Sequence, residues 1–299
     1  MHEIKIGTII RSDMLPQVPQ LIELGFECFS VMFWQTTGGI NLAEFAKRLR
    51  ALTDPSGIPI SCVGVYGNPL TGHGSNADTL ASWERLIDAA SLFGCDLVTG
   101  FTGRIVDEPI DRSMEPIARV FGELLRRARD NGAKIAFENC PMGGDWRLGD
   151  WNCAINPTAW EMIFEALPGD DVGLEWEPAH QLAQLIDPIP QLRKWAQKIL
   201  HIHGKDSTLA WDIVRERGIA SGARYVWDRT PGFGDSNWAD IISILRLSGY
   251  HGNIDIEGFH DPIYREALEW TGQVRGLGYL KECRGGEFIA LRESERPFI

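Results

Sequence analysis

Short runs rich in β-branched and aromatic residues recur along the chain, each followed by a longer stretch with apolar positions three and four residues apart. The runs are IKIGTII (4–10), FECFSVMF (26–33), IPISCVGVY (58–66), CDLVTGF (95–101), AKIAFEN (133–139), VGLEW (172–176), ILHIHG (199–204) and GNIDIEG (252–258). They predict eight strands. The intervening spacing predicts helices at about 15–24, 41–53, 78–93, 112–131, 156–167, 188–197, 237–248 and 262–281, several opened by Asn, Asp or Pro. Continuous apolar strands alternating with helices imply a parallel sheet covered by helices. The count of eight, with no G-x-G-x-x-G after the first strand, predicts a closed (β/α)8 TIM barrel rather than an open doubly wound sheet.

The 299 residues suit one such domain, here 1–284, followed by a tail at 285–299. In that tail Phe288, Ile289 and Phe298 are candidates for an oligomer contact, with fraying as the alternative, and a homo-oligomer is the expected assembly. Two connections are long: CPMGGDWRLGDWNCAIN (140–156) after the fifth strand and the segment 206–237 after the seventh. Both follow strands, which puts them on the C-terminal face where barrel enzymes carry their chemistry. Their Trp146, Trp151, Trp211 and Trp227, with Arg147, Arg215, Arg217, Arg224 and Arg229, suit a lid over a polar ligand or a dimer contact.

Composition narrows the partners. Apolar residues make up 44% and charged residues 23%, enough for a large core. The formal charge of −12 disfavours nucleic acid. Six cysteines without a C-x-x-C pair read as buried thiols in a reducing compartment. No signal-peptide pattern and no run approaching a membrane span are present, so the expected setting is cytoplasmic, without a membrane partner.

Against this apolar background, polar groups fall at the carboxyl ends of four successive strands: Glu138 in AFEN, Glu177 in LEWEP, His203 in HIHGKD and Glu257 in DIEG. In a barrel these ends converge on one axis. Three carboxylates and one imidazole make a hard, mostly oxygen site suited to one divalent ion, Mn2+ first, with Mg2+, Co2+ or Zn2+ as alternatives. Singly, each has an ordinary explanation as a helix cap, an Arg partner or a core histidine. Together they are hard to explain as structural pairs. Glu175, two residues before Glu177, shares its strand face and is a candidate to enter the site. His201 faces inward with His203 if the seventh strand is read by twos.

The set AFEN, acid-P-A-H, H-x-H-x-K-D and I-E-G resembles the sugar isomerase/epimerase superfamily with a xylose-isomerase-like TIM barrel, which includes ketose 3-epimerases and inosose dehydratases. The resemblance covers most of the chain. It implies that Glu138, Glu177, His203 and Glu257 bind one divalent metal, and that Glu138 and Glu257 also act as acid and base on opposite sides of the substrate. It implies that His180 touches substrate oxygens, and that Lys205 and Asp206 are the family's K-D pair after the metal histidine. Two departures stand out. The second acid is Glu177 where Asp is usual, and Glu175 replaces a commonly neutral residue. The further Glu that ketose epimerases carry after the first ligand is also missing from NCPMGGD (139–145), which leaves Asp145.

The expected reaction is proton transfer next to a carbonyl of a small-molecule sugar or keto-sugar, through a metal-stabilised enediolate. Returning the proton gives isomerisation or epimerisation. Expelling a β-leaving group instead gives a lyase or dehydratase acting on a keto-sugar, a 3-oxo-glycoside or an inosose. Phosphodiester hydrolysis, known on this barrel with several zinc ions, fits poorly with scattered histidines and an acidic chain. A non-catalytic sugar-binding barrel is a third reading. Further candidate substrate contacts are Trp34 and Tyr66, which end the second and third strands, and His73 and His260 on loops at the mouth.

Overall fold

The computed structural model describes residues 3–70 and 76–285, so His73 and the tail from 286 onward lie outside the described residues. The strands are β1 (Ile6–Ile10), β2 (Phe29–Trp34), β3 (Ile60–Tyr66), β4 (Leu97–Gly100), β5 (Lys134–Glu138), β6 (Val172–Trp176), β7 (Ile199–Gly204), β8 (Asp206–Leu209), β9 (Val226–Arg229) and β10 (Ile254–Ile256). Eight of them, β1 to β7 and β10, form a closed barrel with parallel pairing throughout. It closes where β1 pairs with β10, Gly7 opposite Asp255. The chain is thus the (β/α)8 barrel that its hydrophobic pattern predicts.

The helices are α1 (Val18–Glu23), α2 (Leu42–Thr53), α3 (Asn76–Phe93), α4 (Met114–Asp130), α5 (Pro157–Ala166), α6 (Pro178–Ala183), α7 (Pro188–Trp195), α8 (Trp211–Arg217), α9 (Trp238–Leu247) and α10 (Glu269–Arg284). Their starts follow local chemistry. Asn41, Asn156, Asp187 and Asn237 cap α2, α5, α7 and α9 by accepting from the amides of Glu44, Ala159, Ile189 and Asp240. Pro157 and Pro188 occupy first-turn positions where no amide hydrogen is needed. The helices bury one face against the sheet. Phe121 of α4 stands edge-on between Trp83 of α3 and Phe137 of β5, with centroids 5.3 and 4.7 Å away. Among the described residues, no helix is long and apolar enough to cross a membrane. All six cysteines are free thiols.

Two expectations need correction. The segment 206–237 is not an open connection: β8 and β9 pair antiparallel, Asp206 opposite Arg229, with α8 between them. Four-residue strands carry too little alternation to stand out in sequence. The last helix begins at Glu269, not 262. Asp261 takes the amides of Ile263, Tyr264 and Thr230 at 2.8–3.0 Å, and Glu266 adopts a left-handed φ of 54°. Those bonds fold 261–264 into a turn that competes with a helix start.

Inside the barrel the side chains alternate by twos, but the layers are not apolar. Below the C-terminal mouth, β6, β7 and β10, with the residues just after them, each supply two titratable groups: Glu175 with Glu177, His201 with His203, and Asp255 with Glu257. Gly7 leaves room for this layer, since a Cβ there would strike the Cys28 carbonyl and the Asp255 carboxylate.

Candidate metal centre and active site

Four backbone arrangements aim the upper layer. Glu138 ends β5, and His203 lies within β7. Glu257 follows β10 and its amide donates to the Gly204 carbonyl at 3.2 Å. Glu177 leaves β6 in extended conformation and is clamped by Asn139: its amide donates to Asn139 Oδ1 at 2.7 Å, and Asn139 Nδ2 donates to the Glu177 carbonyl at 2.9 Å. Asn139 therefore positions an acid one strand away from its own.

The four side chains predicted to ligate a metal meet. One ligand atom from each of Glu138, Glu177, His203 and Glu257 lies within 4.8 Å of every other. His203 Nδ1 is 2.8 Å from Glu138 Oε1, 3.5 Å from Glu257 Oε2 and 3.9 Å from Glu177 Oε2. Neither Glu177 oxygen, nor Oε2 of Glu257, makes a hydrogen bond of regular geometry, although all three atoms are buried and Glu177 Oε1 faces Lys205 and His180 at ion-pair distance. Buried carboxylate oxygens left short of hydrogen bonds are costly, and a divalent cation is the partner that three carboxylates and an imidazole fit. The four residues could therefore hold a metal ion.

Electrostatics separates the acids. Burial, reinforced by the charges of Glu257 and Glu177, raises the Glu138 carboxyl to about 7, even though His203 favours its ionised form. Burial also raises Glu257, but Lys205 and His203 outweigh it and lower that carboxyl to about 2. Glu177 is pushed well above the carboxylate range by burial and by Glu257, with Lys205 offsetting only part. Two acids on one axis with opposed proton affinities match the requirements of an acid and a base.

Lys205 is buried, with Nζ 3.4 Å from both Glu177 Oε1 and Glu257 Oε1. His180, in α6, places Nε2 3.1 Å from Glu177 Oε1. Burial and the Lys205 charge lower this imidazole to about 4 and keep it neutral. A cavity of about 330 Å³ opens above the cluster. Glu138, His203, Lys205 and Glu257 line it together with Trp34, Tyr66, Phe101 and Met142. Trp34, 51% exposed, stacks on Trp151 at 5.4 Å and forms the rim. His260 also stands at the rim, with Nε2 3.8 Å from Glu257 Oε1. A larger cavity, about 410 Å³, opens around Cys95, Lys134 and Gly252 at the opposite end of the barrel, away from the strand-end acids.

Glu175 does not reach this cavity as a substrate contact. It is fully buried one layer down, where the Tyr66 hydroxyl donates to it at 2.8 Å and His201 Nδ1 lies 2.9 Å away. The period-two geometry that brings it to the same face as Glu177 also sets it two residues deeper. Of the tryptophans and arginines expected in a lid, Trp151 alone is seen at the rim through Trp34. Arg215 covers Trp211, Arg224 covers Trp227, and Arg229 pairs with Asp261. Sequence reasoning missed Asn139 and Asp255, and also Arg11 and Phe259, which line the cavity. Asp255 was available, because it precedes Glu257 by two as Glu175 precedes Glu177.

Residues 18–274 match the family described as xylose isomerase-like TIM barrel. An inosose dehydratase of Clostridium botulinum is 30% identical over 120 residues, covering 37% of this chain and 38% of that protein. An uncharacterized Bacillus subtilis protein, YfiH, is 28% identical over 262 residues, covering 75% and 80% of the two chains. The crystal structure of 3-keto-D-glucoside 4-epimerase from E. coli superposes with a TM-score of 0.69 at 17% identity, over 94% of this chain and 100% of that one. At that identity the likeness is one of fold.

Proposed function

Because the chain belongs to the xylose isomerase-like TIM barrel family, we propose that it is a divalent-metal-dependent enzyme, Mn2+ being the preferred ion, that moves a proton on the carbon beside a carbonyl of a sugar or keto-sugar as an isomerase or epimerase. The observation that carries this reading is the convergence of Glu138, Glu177, His203 and Glu257 within 4.8 Å under an open cavity. A bound ion supplies Lewis-acid stabilisation of negative charge on substrate oxygens. Glu257, held ionised by Lys205 and His203, is the base that removes the proton. Glu138 is the acid that returns a proton to the opposite face of the substrate. Neutral His180 donates to a substrate oxygen, and Lys205 balances the charge of Glu177 and Glu257. Trp34 and Tyr66 offer aromatic faces to the C–H side of a sugar ring, and His260 a polar contact at the rim.

The second reading is a lyase that expels a β-leaving group after the same first step. The inosose dehydratase relatives favour it, although the first two of them are matched over only 38% and 53% of their own lengths. The test is NMR in D2O with ketoses, 3-keto-glucosides and inososes. An epimerase returns a stereoisomer carrying one deuterium, whereas a dehydratase yields an unsaturated product and water. If metal-loaded protein labels none of the three classes, the proton-transfer reading is lost.

A further inference from the structure

Beneath the metal centre lies a second, fully enclosed layer of charged groups that no step above uses. Glu175 Oε1 is 2.9 Å from His201 Nδ1 and makes an ion-pair contact with His203 Nε2 at 3.1 Å, outside hydrogen-bond geometry, while its Oε2 accepts from the Tyr66 hydroxyl at 2.8 Å. The other nitrogen of His201, Nε2, is 2.8 Å from Asp255 Oδ2. Cys28 Sγ donates to Asp255 Oδ1 at 3.2 Å. Glu175 and Asp255 are 0% exposed, and His201 and His203 each 1%. The two imidazoles meet edge to face, 5.5 Å apart at 89°.

This arrangement fixes which nitrogen of His203 faces which layer. Nε2 looks down at Glu175, and Nδ1 looks up at Glu138, Glu257 and Glu177. A histidine ligand is oriented by the partner of its other nitrogen, and a carboxylate in that place also raises its basicity. We propose that Glu175 is a positioning residue for the metal centre: from below its carboxylate faces Nε2 of His203 across an ion-pair contact and so turns Nδ1 to the ion, while His201 and Asp255 anchor Glu175 in turn. This inference rests on the metal-binding reading of the upper layer. It gives the acid that departs from the family pattern a task other than meeting the substrate.

A competing use of the same side chains is a second metal site on Cys62, Glu175 and His201, which also lie close enough to share an ion. The geometry favours a hydrogen-bonded network. Cys62 Sγ is 3.8 Å from both Glu175 Oε1 and His201 Nδ1, whereas those two atoms contact each other directly at 2.9 Å. His201 is also already engaged on its other nitrogen.

The test measures Mn2+ and Co2+ affinity by titration calorimetry, and the visible spectrum of the Co2+ protein, for the full chain and for Glu175→Gln. The expected result is a Kd about 10- to 100-fold weaker with altered Co2+ bands, in protein that still unfolds cooperatively in chelator. Tyr66→Phe, which removes only one of the donors to Glu175, should weaken binding less in the same direction. Should Glu175→Gln not fold, the double variant Glu175→Gln/His201→Gln removes the charged pair as a unit, and it too should bind Mn2+ more weakly. An unchanged Kd and spectrum in whichever of these variants folds overturns the proposal. So does a stoichiometry of two ions with one lost in Cys62→Ala, which assigns the lower layer to a second metal. Failure of the parent chain to bind any ion instead overturns the reading of the upper layer.

Discussion

Replacing Glu177 by Gln separates what this acid does for the fold from what it does for the ion. Its carboxyl is completely buried, neither oxygen makes a hydrogen bond of regular geometry, and burial with Glu257 beside it drives it toward the protonated form. An amide is nearly isosteric with a protonated carboxyl, so the metal-free variant should unfold within about 1 kcal/mol of the parent. The metal-bound proteins should differ sharply. With an ion at a hundred times its Kd, the parent gains about 2.7 kcal/mol. At roughly 2 °C per kcal/mol for a large domain, that is a rise of ~5 °C. Losing a ligand should cost at least the ~100-fold in affinity that losing a ligand's support can cost. The same ion concentration then sits near the variant's Kd and adds only about 0.4 kcal/mol, a shift of less than ~1 °C. Calorimetric unfolding with and without Mn2+ measures both numbers. A variant that keeps the full metal-induced rise refutes the role of Glu177 as a ligand, and one that falls well below the parent in chelator refutes the argument about its protonated state.

Three further outcomes follow from the same geometry. Because Glu138 holds its proton up to about 7 and must release it to ligate, metal affinity should climb as pH rises through that value, while Glu257, ionised down to about 2, adds nothing to the slope. Affinity that does not change with pH around neutrality, read by calorimetry in several buffers, contradicts this. Lys205→Met leaves Glu177 and Glu257 without the ammonium 3.4 Å from each and should cost the metal-free protein about 3–5 kcal/mol in denaturant unfolding. Much of that should return when Mn2+ is added. Gly64→Ala would bring a Cβ into Thr99 Oγ1 and within 2.8 and 2.9 Å of the Tyr66 hydroxyl oxygen and ring, so it should lower stability by about 1–3 kcal/mol and weaken metal binding through the Tyr66–Glu175 bond. Unfolding curves and Mn2+ titration on the same sample check both.

The barrel was legible because its signal is long-ranged and repeated: eight apolar runs, each with a helix after it, leave few architectures open. The upper layer was legible for a related reason. A carboxylate or imidazole at the end of an apolar strand is conspicuous, and four in consecutive units point at one axis. The lower layer was half legible. The rule of twos brings Glu175 and His201 inward, but depth along the barrel axis depends on the register between strands. Glu175 pairs with Glu138 across β5 and β6, and Asp255 with His203 across β7 and β10, and no residue by itself announces these pairings. The hairpin of β8 and β9 and the turn at Asp261 were hidden because each depends on contacts made at a distance, Asp206 with Arg229 and Asp261 with Thr230. Arg104 shows the same effect. It is buried and donates to the carbonyls of Glu108 and Trp146, bracing the 140–156 loop, where sequence would leave a cation in solvent.

In the proposed reaction Glu138, Glu177, His203 and Glu257 together hold one divalent ion and Glu257 moves the proton beside it. Solvent-deuterium incorporation into a keto-sugar, followed by proton NMR for the metal-loaded chain, the chelator-treated chain and Glu257→Gln, tests it most directly. The expected result is exchange of a single carbon-bound hydrogen in the loaded parent, loss of that exchange in chelator with recovery on adding Mn2+, and loss in Glu257→Gln despite retained folding. Exchange that persists in chelator or at the parent's rate in Glu257→Gln would contradict it.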